Sequence, residues 1–226
     1  MTLKGQKLLK HLVQTKNIHI MKKILYLFLL MFITTFSYSQ QEKIEEIRQY
    51  YNPNFNTSPF YIYYYKDINN YFTPFIGTWI YQNGNQTFVM LFWKETKIGY
   101  PDTNPKYYVD ELRGHYKLVQ NYGQPNEQLI YTSQKNVGNS ITSWPTIVMS
   151  NQPTEPYKMT GTIFDVAGVL NPSYPTGVRG ELEMIINPAN PNTAQWEVTL
   201  PMGMRGLDQP STFTIPTNIT LTKVNQ

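Results

Sequence analysis

From residue 76 onward the chain sets nine short β-prone runs between turn signals, and no other feature limits its fold as strongly. The runs span 76–82, 86–93, 107–120, 128–133, 146–150, 157–166, 178–187, 194–200 and 212–224. Asn83-Gly84-Asn85, Gly123-Gln124-Pro125-Asn126, Asn171-Pro172 and the Asn/Pro-rich stretch 187–192 punctuate them with residues suited to turns. Runs of this length and spacing, with almost no helical periodicity, predict an all-β antiparallel fold: a barrel or, as the alternative, a β-sandwich. The run 146–150 is the weakest of the nine and is expected as an edge strand or a loop.

Alternation assigns the faces. Leu112, Tyr116 and Leu118 share one face of their run, while Glu111, Arg113, His115 and Lys117 share the other, as in a sheet wet on its outer side. Leu182, Met184 and Ile186 against Glu181 and Glu183, and Trp196, Val198 and Leu200 against Glu197 and Thr199, repeat the pattern. Phe88-Val89-Met90-Leu91-Phe92-Trp93 is apolar on both faces, so that strand needs cover outside as well as inside, from the Tyr-rich segment 60–72 or from a short helix expected at 41–50.

Ahead of the β region, residues 21–39 read as a secretory signal peptide: Lys22 and Lys23, then an apolar run over 24–36, then Ser37-Tyr38-Ser39. About 20 residues are needed to span a bilayer as a helix, so the run is too short for an anchor and no transmembrane segment is expected after cleavage between Ser39 and Gln40. Residues 1–20 are an extended leader, or Met21 is the true start. Six of the 19 Lys+Arg lie in residues 1–39, which hold no carboxylate; 13 then remain against 15 Asp+Glu, a net charge of −2 instead of +4. The basic balance therefore belongs to the leader, and no nucleic-acid partner is expected. The domain plan is 1–20 leader, 21–39 signal peptide, 40–74 helix and Tyr/Asn-rich capping segment, and 75–226 barrel, with export to the periplasm or the medium.

Gly77-Thr78-Trp79 opens the β region and resembles the Gly-x-Trp signature at the first strand of lipocalin-like barrels. The resemblance implies that glycine admits close packing of the entering chain and that the tryptophan plugs the closed end. In many lipocalins an arginine near the last strand packs over that tryptophan. This chain departs from the pattern, offering Lys223 on its last run with Arg205 before it. Tyr64-Tyr65-Lys66-Asp67, Phe75-Ile76-Gly77-Thr78-Trp79, Asn83-Gly84 and the stretch from Tyr108 to Tyr116 together resemble a family of small secreted bacterial proteins of unknown function. That resemblance supports a signal peptide followed by a β domain and implies no activity, cofactor or catalytic residue.

The chemistry available is sparse. With no cysteine, disulfide scaffolds, thiolate zinc sites, iron–sulfur ligation and thiol catalysis fall away. After cleavage His115 is the one histidine, and its parity places it on the wet face beside Arg113 and Lys117, so no catalytic or metal role is expected. Glu181, Glu183 and Glu197 share the outward parity with Arg179 and read as a solvated charge ladder in preference to a hydrolytic carboxylate pair. Asp102-Thr103-Asn104, between Pro101 and Pro105, reads as a turn in preference to a calcium loop. What remains is an aromatic fraction of 15%. Inward Trp79, Tyr116 and Trp196 are the expected lining of any ligand cavity, and Tyr61, Tyr63, Tyr64 and Tyr65 are the expected exposed interaction surface. The chain is thus expected to be a non-enzymatic exported barrel, without cofactor or metal, that takes a small apolar or aromatic ligand. The alternative is a structural or interaction module for glycan or an envelope protein.

Overall fold

The computed structural model describes residues 21–28, 41–100, 103, 106–134, 146–151, 155–166, 177–203 and 209–224. Contacts divide the chain into two units, 1–41 and 42–226. Within the first, residues 21–28 form a helix with every residue exposed. No helix among the described residues is long and apolar enough to cross a membrane.

Eleven strands follow in chain order: β1 Gln41–Glu46, β2 Tyr61–Lys66, β3 Gly77–Asn83, β4 Gln86–Tyr100, β5 Tyr107–Gln120, β6 Gln128–Thr132, β7 Ile147–Asn151, β8 Lys158–Asp165, β9 Val178–Asn187, β10 Asn190–Thr199 and β11 Asn218–Lys223. The order β5-β4-β3-β11-β10-β9-β8-β7 closes through a β5–β7 pairing into an eight-stranded antiparallel barrel of lipocalin-like form. Each of the nine runs read from the sequence contains a strand, the last of them only over Asn218–Lys223.

Three expectations change. Run 146–150 is neither edge nor loop: β7 pairs with both β5 and β8 and closes the barrel, whereas β6 lies off the closed path. The helix expected at 41–50 is reduced to a 3-10 helix, Ile47–Tyr51, behind strand β1. Pairing of β1 with β2 supplies backbone partners that so short an isolated helix lacks. The Tyr-rich segment does not lie over the doubly apolar strand; β2 runs parallel to the start of β5, with Tyr63, Tyr64 and Tyr65 opposite Tyr107, Tyr108 and Val109. On that doubly apolar strand Val89 is nevertheless buried and Leu91 is exposed.

β5 is paired with β4 along nearly its whole length, and its other edge is divided among β2, β7 and β6. Inward residues alternate as read, with Phe88, Met90 and Phe92 of β4 facing Leu118, Tyr116 and Gly114 of β5. At Gly114 a Cβ would sit 2.7 Å from the Phe92 ring, so the missing side chain makes room for that ring. The β4–β5 ladder shifts between Glu95 and Ile98, where Lys97 takes a left-handed φ of 55° and turns its N–H to Asp110.

Candidate functional site

Gly77 enters β3 with φ of 116°, a conformation that costs a side chain dearly, which is the local reason for glycine there. Two residues on, Trp79 is fully buried and donates its indole N–H to Phe75 O at 2.8 Å. Lys223, opposite Trp79 on β11, lies 5.3 Å from the ring centroid and donates to Pro74 O at 2.6 Å. Lys223 thus lies over the indole and ties the last strand to the cap at this end of the barrel. Burial lowers the Lys223 pKa from its ordinary value. Arg205 lies outside the described residues.

Tyr116 and Trp196 are inward as well, but they and Trp79 are core residues and line none of the three clefts described below. Phe88 packs against Tyr116 at 5.5 Å and against Trp196 at 6.4 Å, with Phe92 6.5 Å from Trp196. Parity identified the face correctly; it does not register that neighbouring large rings fill the space between them.

The opposite end of the barrel is open in part. There the chain ahead of β11 folds back over the mouth, and Asp165 at the end of β8 holds it. The Asp165 carboxylate accepts from Thr214 N, from Thr214 Oγ1 at 2.8 Å and from Ile215 N at 3.3 Å, with the Tyr116 hydroxyl at 3.4 Å. Trp196 donates its indole N–H to Pro216 O at 3.1 Å. Beside this strap lies a cleft of about 280 Å³ whose apolar walls are Tyr81, Phe88, Leu118, Tyr131, Ile215 and Pro216. Burial, with the Asp165 charge second, raises the Tyr131 pKa, so its phenol stays neutral. The sequence signal for this cleft was weak: Leu118 had the inward parity, whereas Tyr131 and Ile215 reach the mouth through non-local packing.

The tyrosines expected on the surface are not there. Tyr63, Tyr64 and Tyr65 are buried and Tyr61 is half-buried, because pairing with β5 turns them into the packing between cap and barrel. Tyr64 donates to Asp110 Oδ1 at 2.7 Å. Asp110 and Asp67 both lie within reach of Lys94 Nζ, at 3.4 and 3.1 Å. Asp67 also accepts from the N–H groups of Tyr71 and Phe72 at 2.7 and 3.3 Å. Every one of these groups has a partner, so the cluster reads as a lock between cap and barrel.

His115 is buried, not wet: Trp93 packs on it at 5.3 Å, and its Nδ1 lies 3.4 Å from both Ser133 Oγ and Thr146 Oγ1. Burial lowers its pKa below the usual 6.5. The unfolded chain therefore binds a proton that the folded one refuses, and the His115 contribution to stability is complete above pH 6.5 and lost as pH falls below it. Urea unfolding at pH 7.5 and 5.5 should show lower stability at pH 5.5, with a smaller difference in His115→Gln; an unchanged difference in the variant removes the assignment.

Glu181, Glu197 and Arg179 are exposed and Glu183 is half-buried against Lys158 Nζ at 2.7 Å, the outward row that alternation implied. Asp102 and Asn104 lie outside the described residues, while Thr103 Oγ1 donates to Tyr100 O at 2.6 Å. Among the described residues no group of three or more His, Cys, Asp or Glu is placed to hold a metal ion. Residues 21–224 match one family model, described as a family of unknown function (DUF6705). No curated protein and no solved structure matches the chain.

Proposed function

The chain belongs to DUF6705, a family of unknown function, and from that premise we propose that it is an exported, non-enzymatic barrel that takes a small apolar or aromatic ligand at its open end. The observation that carries this reading is the mouth cleft of about 280 Å³, floored by Phe88 and walled by Tyr81, Leu118 and Tyr131. Apolar walls with a few polar groups at the rim suit a small ligand that is mostly ring or hydrocarbon. The filled interior moves the ligand from the barrel axis to the mouth. Export rests on the cationic, apolar and small-residue order of 21–39. The non-enzymatic reading is supported by the outward course of the glutamates and by the wall that Trp93 builds over His115.

The neutral fluorophore N-phenyl-1-naphthylamine tests the site. Its emission should saturate at one dye per chain, and Leu118→Trp, which fills the cleft, should weaken binding about tenfold, or ~1.4 kcal/mol. Absence of saturable binding, or binding unchanged by Leu118→Trp, sinks the mouth site. N-terminal sequencing of protein recovered outside the cytoplasm should begin at Gln40; protein retained inside with residues 21–39 intact refutes export.

A further inference from the structure

Away from the mouth, the outer face of the barrel carries a second hollow of about 240 Å³ over β5, β7 and β8. Four rings wall it: Tyr50 and Tyr51 at the end of the 3-10 helix, Tyr100 of β4 and Tyr107 of β5. Tyr100 and Tyr107 stack with centroids 5.0 Å apart and planes at 19°. Tyr50 leans on Tyr107 at 5.2 Å, and their hydroxyls lie 2.9 Å apart. Glu111 faces the rings, accepting from the Tyr100 hydroxyl and, at 3.0 Å, from Arg113 Nε. Ser150 stands in the same wall, more than nine-tenths buried, and its Oγ has no partner at hydrogen-bond distance, with the Tyr51 hydroxyl its neighbour.

The hollow does not end there. Past Tyr51, Thr160 and Thr162 it continues into a wider trough of about 550 Å³ over β8, β9 and β10, where Arg179, Glu181, Glu197 and Thr199 line the floor. Tyr51, 44% exposed, stands at the junction and belongs to both parts. The trough crosses the strands from β5 to β10, about four strand spacings or ~19 Å.

The chemistry of this trough selects its occupant. Rings along one wall present apolar faces, while carboxylates and hydroxyls along the floor accept and donate hydrogen bonds at intervals, so a purely apolar chain would strand them without partners. Glu181 and Glu197, with Glu183 paired to Lys158, outnumber Arg179 and repel a polyanion. A peptide could not add as a strand, since β7 and β8 are paired on both sides. We propose that the trough is a binding site for a neutral oligosaccharide, its sugar rings lying against Tyr51 and the neighbouring tyrosines and its hydroxyls bonding Ser150 and the floor carboxylates. This site is independent of the mouth cleft and shares no residue with it.

The test is titration calorimetry of the intact protein with a panel of neutral hexasaccharides, β-1,4- and β-1,3-linked glucose, α-1,4-linked glucose, β-1,4-linked mannose and β-1,4-linked N-acetylglucosamine, beside hexagalacturonate as the anionic comparison. At least one neutral chain should bind saturably and more tightly than hexagalacturonate. Tyr51→Ala should weaken that binding about tenfold and Tyr51→Phe by less than about threefold, with the melting temperature of both variants close to that of the parent. Failure of every neutral chain to bind at about 10 mM, preference for the anionic chain, or binding indifferent to Tyr51→Ala each overturns the proposal.

Discussion

Replacing Lys94 by methionine should lower the stability of the barrel by about 3–5 kcal/mol, the range for breaking a buried ion pair from one side. Lys94 Nζ is the cation between Asp67 and Asp110, whose side chains are 1% and 0% exposed. Their other partners are the N–H groups of Asp67, Tyr71, Phe72 and Lys97 and the Tyr64 hydroxyl, which hold the carboxylates in place without neutralising them. Methionine keeps most of the side-chain volume, so the loss would report charge and not a cavity. Two carboxylates left together favour protonation of one, and the variant should regain part of its deficit as pH falls. Urea unfolding of Lys94→Met and of Lys94→Met/Asp67→Asn gives the measurement. A loss below about 1 kcal/mol in the single variant, or no recovery in the double one, would remove the lock from the account of how the cap is held.

Asp165→Ala should produce the second large loss, about 2–3 kcal/mol. The buried Ile215 N and the Tyr116 hydroxyl turn to this carboxylate together with the N–H of the exposed Thr214, and a buried donor stranded without an acceptor costs about 1–3 kcal/mol. The Tyr116 hydroxyl keeps Phe164 O at 3.0 Å, which limits the damage there. The loss should be local before it is global: amide exchange at Thr214 and Ile215 should accelerate far more than at Trp196 or Met184 in the barrel wall. Asp165→Asn keeps one carbonyl acceptor and should fall between the two. Uniform acceleration along the chain would mean that Asp165 supports the barrel as a whole and does not tie the strap over the mouth.

The barrel wall was legible because its strands alternate. In Val178–Asn187 the burial pattern follows parity at nearly every residue, with Leu182, Met184 and Ile186 in and Arg179 and Glu181 out. The cap was not, since nothing in Tyr61–Lys66 tells an exposed aromatic cluster from a strand that finds the edge of β5. Ile147–Asn151 looked weak for a related reason: its place is set by two partners at once, and propensity counts neither. The outer wall of β5 misled by its polarity, for Glu111 and His115 carry the residue types of a wet face and are covered by Tyr100 and Trp93. The mouth cleft and the tyrosine trough escaped for the same cause, being assembled from residues far apart in the chain: Tyr51 beside Thr160, Tyr131 beside Ile215.

The divided edge of β5 bears on how this protein avoids error. A strand slipped by one residue turns every side chain to the wrong face, and a strand held by one neighbour along a uniform edge can make that slip at the cost of its end pairs alone. For β5 three stretches of chain would have to slip together, the cap through Tyr63 to Tyr65, β7 at Leu112 to Gly114 and β6 beyond Lys117, while Gly114 would lose its place under the Phe92 ring. Misregistered forms of this strand are therefore improbable partners for the rest of the barrel, and β5 acts as the ruler against which the other strands are set.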